Sequence, residues 1–181
     1  CIDSEIATVS ADITPPTAGS SAAGIIDCNN TTTTVTGTGG GTYSWVASGG
    51  GNITSGAGSA TVTIDAAGTY TVTVTGANGC TDTDVTVVTD DLTTPIANAG
   101  SAGVIDCNNT TINLSGSGGG DYSWVASGGG NITSGASSAT PTINAAGSYT
   151  VRVTGTNGCT DTDVTTVTTD LTPPNADVGS D

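Results

Sequence analysis

Thr69-Tyr70-Thr71-Val72-Thr73-Val74-Thr75 alternates without a break. On an extended chain this order puts Tyr70, Val72 and Val74 on one face and the threonines on the other, the pattern of an antiparallel strand with one face against a core. Gly-Ala-Asn-Gly at 76–79 is a tight-turn signal, and a second run follows: Cys80-Thr81-Asp82-Thr83-Asp84-Val85-Thr86-Val87-Val88-Thr89. Two such runs across such a turn read as a β-hairpin. The hairpin recurs downstream, where Ser148-Tyr149-Thr150-Val151-Arg152-Val153-Thr154 leads through a turn to Cys159.

The recurrence extends to the whole chain. Shifted by 79 residues, Cys1, Cys80 and Cys159 coincide, Cys28 falls on Cys107, Trp45 on Trp124, and Tyr43 and Tyr70 on Tyr122 and Tyr149. The tract at 43–57 is repeated letter for letter at 122–136. Duplication at a fixed period is the mark of a modular array and favours mechanical or multivalent use over a single catalytic pocket. The register gives whole modules at 15–93 and 94–172, with 1–14 as the last strand of a preceding repeat and 173–181 as the first strand of a following one. The sequence is therefore read as a window on a longer polymer of modules. A first-residue cysteine also suits a lipidated anchor, but Cys1 already has a place in the repeat register.

Further alternation marks Thr33 and Val35 (Ile112 and Leu114 in the second copy), Tyr43 and Trp45, and Val62 and Ile64, with glycine-rich turns between. Pro141 stands where the first copy has Val62. Proline cannot donate to an interior ladder, so this strand is expected at a sheet edge. About seven short strands per module describe an all-β antiparallel sandwich.

Composition narrows the partners. One Lys or Arg against 16 Asp and Glu leaves a net charge of −15. Binding to a nucleic acid backbone by counterion release needs clustered cations, so nucleic acid and anionic membrane are poor partners, while divalent cations and basic surfaces remain open. No apolar run is long enough to insert in a membrane. Glycine and threonine abound, but they alternate with valine and isoleucine, which a disordered linker would not do. The absence of His and Lys also removes the common base and nucleophile constellations, so no enzyme is expected.

Asp65-Ala66-Ala67-Gly68-Thr69-Tyr70 and Asn144-Ala145-Ala146-Gly147-Ser148-Tyr149 resemble the turn and tyrosine corner that open the penultimate strand of immunoglobulin-like and PKD-like domains. Trp45 and Trp124 stand where such domains carry a core tryptophan, so these two and Tyr70 and Tyr149 are taken as core markers. The ordered set Ile-Asp-Cys-Asn-Asn, Tyr-Ser-Trp, Gly-Gly-Asn-Ile, Ala-Gly-Thr-Tyr-Thr-Val and Asn-Gly-Cys-Thr-Asp-Thr is similar to repeats of large outer-surface adhesins of gliding and related Gram-negative bacteria. One departure stands out: the second cysteine is not two residues past the tyrosine, so the usual inter-sheet disulfide position of antibody domains is empty.

Cys28 and Cys80 are 52 positions apart, as are Cys107 and Cys159, and each pair brackets a module. The spacing suggests Cys28 with Cys80 and Cys107 with Cys159, one disulfide per module, and leaves Cys1 to an upstream partner. A loop of this size would add about 4 kcal/mol. Without a Cys-x-x-Cys pair or a histidine, a metal or redox role is disfavoured. Disulfides in turn imply an extracellular, cell-surface location.

Other residues carry weaker signals. Asp82 and Asp84, repeated as Asp161 and Asp163 and echoed by Asp3 and Glu5, sit on alternate positions of the last strand. They are candidate Ca2+ ligands, with a solvated acidic edge as the alternative. Asp90 and Asp91, with Asp12 and Asp170 in equivalent places, are candidates of the same kind, and no other cofactor is expected. Asn30, Asn52, Asn109 and Asn131 match the Asn-x-Ser/Thr acceptor pattern for glycosylation. Trp45 with Tyr43 could stack on a sugar, against the plainer reading of one core tryptophan per module.

The leading expectation is an extracellular structural repeat of a cell-surface adhesin or filament, a stiff stalk or fibre used in attachment, surface coating or motility. Each module should add roughly 35–45 Å of length. Its partners would be neighbouring repeats of the same chain, and identical chains if fibres form. The competing expectation is a carbohydrate- or calcium-binding β-sandwich module.

Overall fold

The computed structural model describes residues 5, 8–101 and 103–173. Cys1 and residues 174–181, and with them the expected upstream disulfide and most of the expected strand of a following repeat, lie outside this set. The described residues are all β, and the chain divides between Asp91 and Leu92 into two compact units. Residues 8–14, expected in a last strand, form none, and no described strand pairs with them.

The first unit contains β1 (Gly19–Ala22), β2 (Ile26–Asp27), β3 (Thr33–Thr38), β4 (Thr42–Ser48), β5 (Ile53–Ser55), β6 (Thr61–Ile64), β7 (Gly68–Thr75), β8 (Thr81–Val88) and β9 (Asp90–Asp91). One sheet has the order β1-β3-β6-β5 and the other β4-β7-β8, while β2 runs parallel to β9. The second unit contains β10 (Val104–Asp106), β11 (Ile112–Asn113), β12 (Asp121–Ser127), β13 (Ile132–Ser134), β14 (Thr142–Ile143), β15 (Gly147–Thr154) and β16 (Thr160–Asp170). Its sheets are β11-β14-β13 and β10-β16-β15-β12. In this copy the strand corresponding to β1 shrinks to a single bridge between Asn98 and Ser117.

The alternation read from the sequence is the alternation of burial. Tyr70, Val72 and Val74 are fully buried, as are Tyr149, Val151 and Val153, and the intervening threonines and Arg152 face outward. In the first unit these side chains pack with Ile26, Val35, Trp45, Val62, Ile64 and Val88. In the second they pack with Ile105, Leu114, Trp124, Ile143 and Val167. Each aromatic also satisfies its polar atom, as burial requires. Trp45 Nε1 donates to the Ser59 carbonyl at 3.0 Å, and Trp124 Nε1 to that of Ser138 at 3.0 Å.

The tyrosine corners are formed. The Tyr70 hydroxyl donates to the Ala66 carbonyl at 2.5 Å and accepts from the Asn52 N–H at 3.0 Å. The Tyr149 hydroxyl donates to Ala145 at 2.5 Å and accepts from Asn131 at 2.9 Å. Each closes the turn before the penultimate strand and ties it to the turn after β4 or β12. Glycine is required there: a Cβ on Gly68 would lie 2.3 Å from the Gly51 nitrogen, and one on Gly147 2.4 Å from that of Gly130.

Pro141 corrects one expectation. The strand after it, β14, lies in the middle of its sheet between β11 and β13. The proline shortens the strand instead of moving it to an edge: β6 has four residues and β14 two. Pro141 sits just before the first of these; it brings no N–H, but its carbonyl still accepts from the Leu114 N–H at 3.0 Å.

Tyr149→Phe keeps the buried ring but leaves the Asn131 N–H and Ala145 carbonyl without their partner. It should destabilise the second unit by about 1–3 kcal/mol, measured as a lower denaturant midpoint followed by Trp124 emission in a Trp45→Phe background.

Candidate functional site

The residues with chemical capacity collect at two kinds of turn and along one strand edge. The first turn carries Cys28 or Cys107. Asp27 Oδ1 accepts from the N–H groups of Asn29 and Asn30 at 2.9 and 2.6 Å, and Asp106 Oδ1 from those of Asn108 and Asn109 at 2.8 and 2.6 Å. Asp-Cys-Asn-Asn is thus a side-chain-capped turn that holds the cysteine at its tip. The second turn carries Cys80 or Cys159. Gly76 N–H donates to the Cys80 carbonyl at 2.9 Å, and Cys80 N–H to Asn78 Oδ1 at 3.0 Å. Gly155, Cys159 and Asn157 repeat the arrangement at 2.9 and 3.1 Å.

Neither expected in-module disulfide exists. Cys80 and Cys107 are free thiols, whereas Cys28 and Cys159 are both in disulfide linkage. The reason is topological. Cys80 directly precedes β8, but Cys28 follows β2, whose partner β9 lies beyond the far end of β8. Cys159 directly precedes β16, and Cys107 follows Asp106, which pairs with Asp170, the last residue of that 11-residue strand. At about 3.3 Å per residue the two cysteines of a module stand about 30 Å or more apart. A disulfide needs Cα atoms within about 7 Å.

The strand edge holds the four aspartates read as candidate Ca2+ ligands. In register, Asp82 lies opposite Val74 and Asp84 opposite Val72, so both carboxylates are on the core side of β8. There Asp82 Oδ2 accepts from the Ala18 N–H at 2.9 Å and Asp84 Oδ2 from the Ser20 hydroxyl at 2.7 Å. In the second unit Asp161 and Asp163 accept from the N–H groups of Ala97 and Ala99 at 2.9 and 2.8 Å. Half-buried on this edge, they belong, among the described residues, to no group of three His, Cys, Asp or Glu placed to hold a metal ion. They bolt the first strand segment of each unit to its last strand. Sequence reasoning missed this; the available signal was the two-residue spacing repeated opposite inward-facing valines.

The bonds are felt in acidity. The Ser20 hydroxyl, then the Val85 N–H, hold Asp84 below the ordinary carboxylate value, and the Ala99 N–H, then that of Val164, do the same for Asp163. Asp106 is lowered chiefly by the Asn109 and Asn108 N–H groups, Asp170 by the Thr172 hydroxyl and N–H, and Asp12 by the Thr14 N–H and the Asn78 side chain. Asp106, Cys107, Asn108, Asp170 and Thr172 together line a recess of about 370 Å³ at one end of the second unit.

The four candidate glycosylation sites are exposed, and each side-chain amide is already a donor. Asn30 and Asn109 donate to Asp27 and Asp106 at 3.1 and 3.2 Å, Asn52 to Asp65 and Asn131 to Asn144 at 2.7 Å. Trp45 and Trp124 are each only 4% exposed, so neither offers a stacking face to a sugar.

Two sandwiches in tandem, each with a tyrosine corner and a buried tryptophan, agree with the sequence comparison, in which the PKD-like domain profile matches residues 14–89 and 93–169. The chain belongs to the PKD-like domain family. No curated protein matches it. Among solved structures, the PKD-like chain is similar to the insect immune protein hemolin at 15% identity and TM-score 0.37, over 77% of this chain and 43% of that one. It is also similar to the human desmocollin-1 ectodomain at 13% identity and TM-score 0.31, over 75% and 31%. A fragment of protocadherin gammaB7 (EC3-6) matches at 11% identity and TM-score 0.34, over 86% and 51%. The PKD-like chain thus spans less than half of the hemolin chain and about a third of the desmocollin chain.

Two outcomes follow for these PKD-like modules. Alkylation without reductant should modify Cys80 and Cys107 and spare Cys28 and Cys159, as read by peptide mass mapping. A carboxylate held low in the folded state adds stability above its ordinary value and loses it as pH falls through the folded value. Asp163→Asn keeps an acceptor for Ala99 but removes the charge. Urea titrations across pH should therefore show lower stability at neutrality and a shallower loss below about pH 4.

Proposed function

We propose that the chain is part of an extracellular structural repeat region, serving as a stalk or fibre of a cell-surface adhesin or filament. One observation carries the reading. The groups that could have made a ligand site, namely Trp45, Trp124 and the four strand aspartates, are used to hold each module together. What remains is a repeated, acidic, internally satisfied module, which suits spacing and reach more than recognition. The disulfide-linked Cys28 and Cys159 support an oxidising compartment outside the cytosol. The resemblance of the repeat to outer-surface adhesins of gliding bacteria supports attachment, coating or motility as the setting.

Gold-labelled antibody raised against the chain should decorate intact cells of the source organism, and brief external protease should remove the label. Label that appears only after lysis would sink the reading. Calorimetric titration with Ca2+ and a glycan array should give no saturable binding; saturable binding would favour the carbohydrate- or calcium-binding alternative instead.

A further inference from the structure

Asparagine precedes glycine at two places, Asn78-Gly79 and Asn157-Gly158, in the turns that join β7 to β8 and β15 to β16. The pair is chemically labile: glycine has no side chain to shield its nitrogen, which attacks the asparagine side-chain carbonyl carbon and expels ammonia. The turn does not allow the glycine to be replaced, because Gly79 and Gly158 lie at φ 81° and 77°, in the left-handed region that side chains avoid. Yet each group the reaction uses is engaged in a hydrogen bond. The attacking nitrogen is a donor, Gly79 N–H to the Gly76 carbonyl at 2.9 Å and Gly158 N–H to that of Gly155 at 3.0 Å. The side-chain oxygen is an acceptor, Asn78 Oδ1 from the Cys80 N–H at 3.0 Å and Asn157 Oδ1 from the Cys159 N–H at 3.1 Å. The leaving amide is a donor, Asn78 Nδ2 to the Thr14 carbonyl at 2.8 Å and Asn157 Nδ2 to that of Thr93 at 2.9 Å. Thr14 and Thr93 stand 64 positions before these asparagines, at the entry to the segments that Asp82, Asp84, Asp161 and Asp163 hold. The Asn78 side chain also bonds the Asp12 carboxylate. Each amide is therefore held by chain that is in place only while the first segment of its unit is docked.

We propose that Asn78 and Asn157 are conditional deamidation sites, protected while the first segment of their unit is docked, modified when it opens, and unable to hold it again afterwards. The inference stands on these contacts and is independent of the surface-repeat reading. In the open state the Gly79 nitrogen gives its proton to solvent base and bonds to Asn78 Cγ. The Cγ–Nδ2 bond breaks, the nitrogen takes a proton from water, and ammonia leaves a cyclic imide behind. Water then opens the imide at either carbonyl, giving aspartate or isoaspartate. The balance is one water consumed and one ammonia released, with no change of oxidation state, and Gly158 acts on Asn157 in the same way. The product has no N–H for the Thr14 or Thr93 carbonyl and sets a carboxylate against it. At position 78 it also places a second negative charge beside Asp12, and like charges repel. A group that reacts only in an open state reacts in proportion to the population of that state, so docking governs the rate.

The test incubates the full 181-residue chain at mildly alkaline pH, folded or in urea, and follows each asparagine by peptide mass mapping, with isoaspartate separated by chromatography. Asn78 and Asn157 should convert in urea and more than about tenfold more slowly in the folded chain. Asn52 and Asn131, each followed by isoleucine, should convert in neither over the same time. Asp82→Ala with Asp84→Ala removes the acceptors for Ala18 and Ser20. It should speed conversion of Asn78 several-fold and leave Asn157 at its parent rate, with Trp45 emission in a Trp124→Phe background showing that the first unit is still folded. Asn78→Asp should quicken hydrogen exchange in the peptide spanning 14–20 and leave that spanning 93–99 unchanged. Equal rates in folded and unfolded chain, no conversion in urea, an unchanged Asn78 rate in the folded double-alanine variant, or unchanged exchange in Asn78→Asp would each overturn the proposal. If the double-alanine variant unfolds, the urea comparison and the Asn78→Asp exchange decide it.

Discussion

The antiparallel hairpin of β7 with β8, and of β15 with β16, is the constraint on which the rest of each module depends. Its register turns Tyr70, Val72 and Val74 inward and so creates the face that the second sheet covers. The same register brings Asp82 and Asp84 to the inner side of an edge strand, where unpaired carboxylates would be costly. They are tolerated because Ala18 and Ser20 arrive as donors, and those bonds fix where the first strand segment runs. An inward charge on an edge strand also guards against edge-to-edge pairing with other chains. Core, edge protection and the docking of the first strand thus follow from a single ladder.

The tyrosine corner acts on that ladder from outside. A core with one tryptophan and one fully buried tyrosine per module has little aromatic surface to spare, so the hydroxyl bonds of Tyr70 and Tyr149 matter more than they would in a larger domain. Each fixes the entry of the penultimate strand, and hence the register of the hairpin it begins. The second copy tolerates Pro141 because the carbonyl that Leu114 needs is retained and only a donor at the strand's start is lost.

The length of the last strand has a chemical consequence. It holds the two cysteines of a module at opposite ends, so neither can serve its own module as a staple. A cysteine pair that seems by its spacing to brace a small sandwich is instead held apart by it.

The period, the alternation, the hairpin turns, the tyrosine corners and the core tryptophans were all legible in the residues, because each depends on neighbours within a few positions or on a strict two-residue rhythm. Which cysteines bond, where the strand after Pro141 sits and what the four aspartates hold were decided only by the tertiary structure. The spacing of 52 positions from Cys28 to Cys80, and from Cys107 to Cys159, says how much chain a bridge would close, but not which end of the sandwich each cysteine occupies. Likewise a proline limits which hydrogen bonds a strand can make without naming its neighbours, and a carboxylate pair does not reveal whether a cation or a backbone N–H will meet it. These depend on elements far apart in sequence that only the fold brings together.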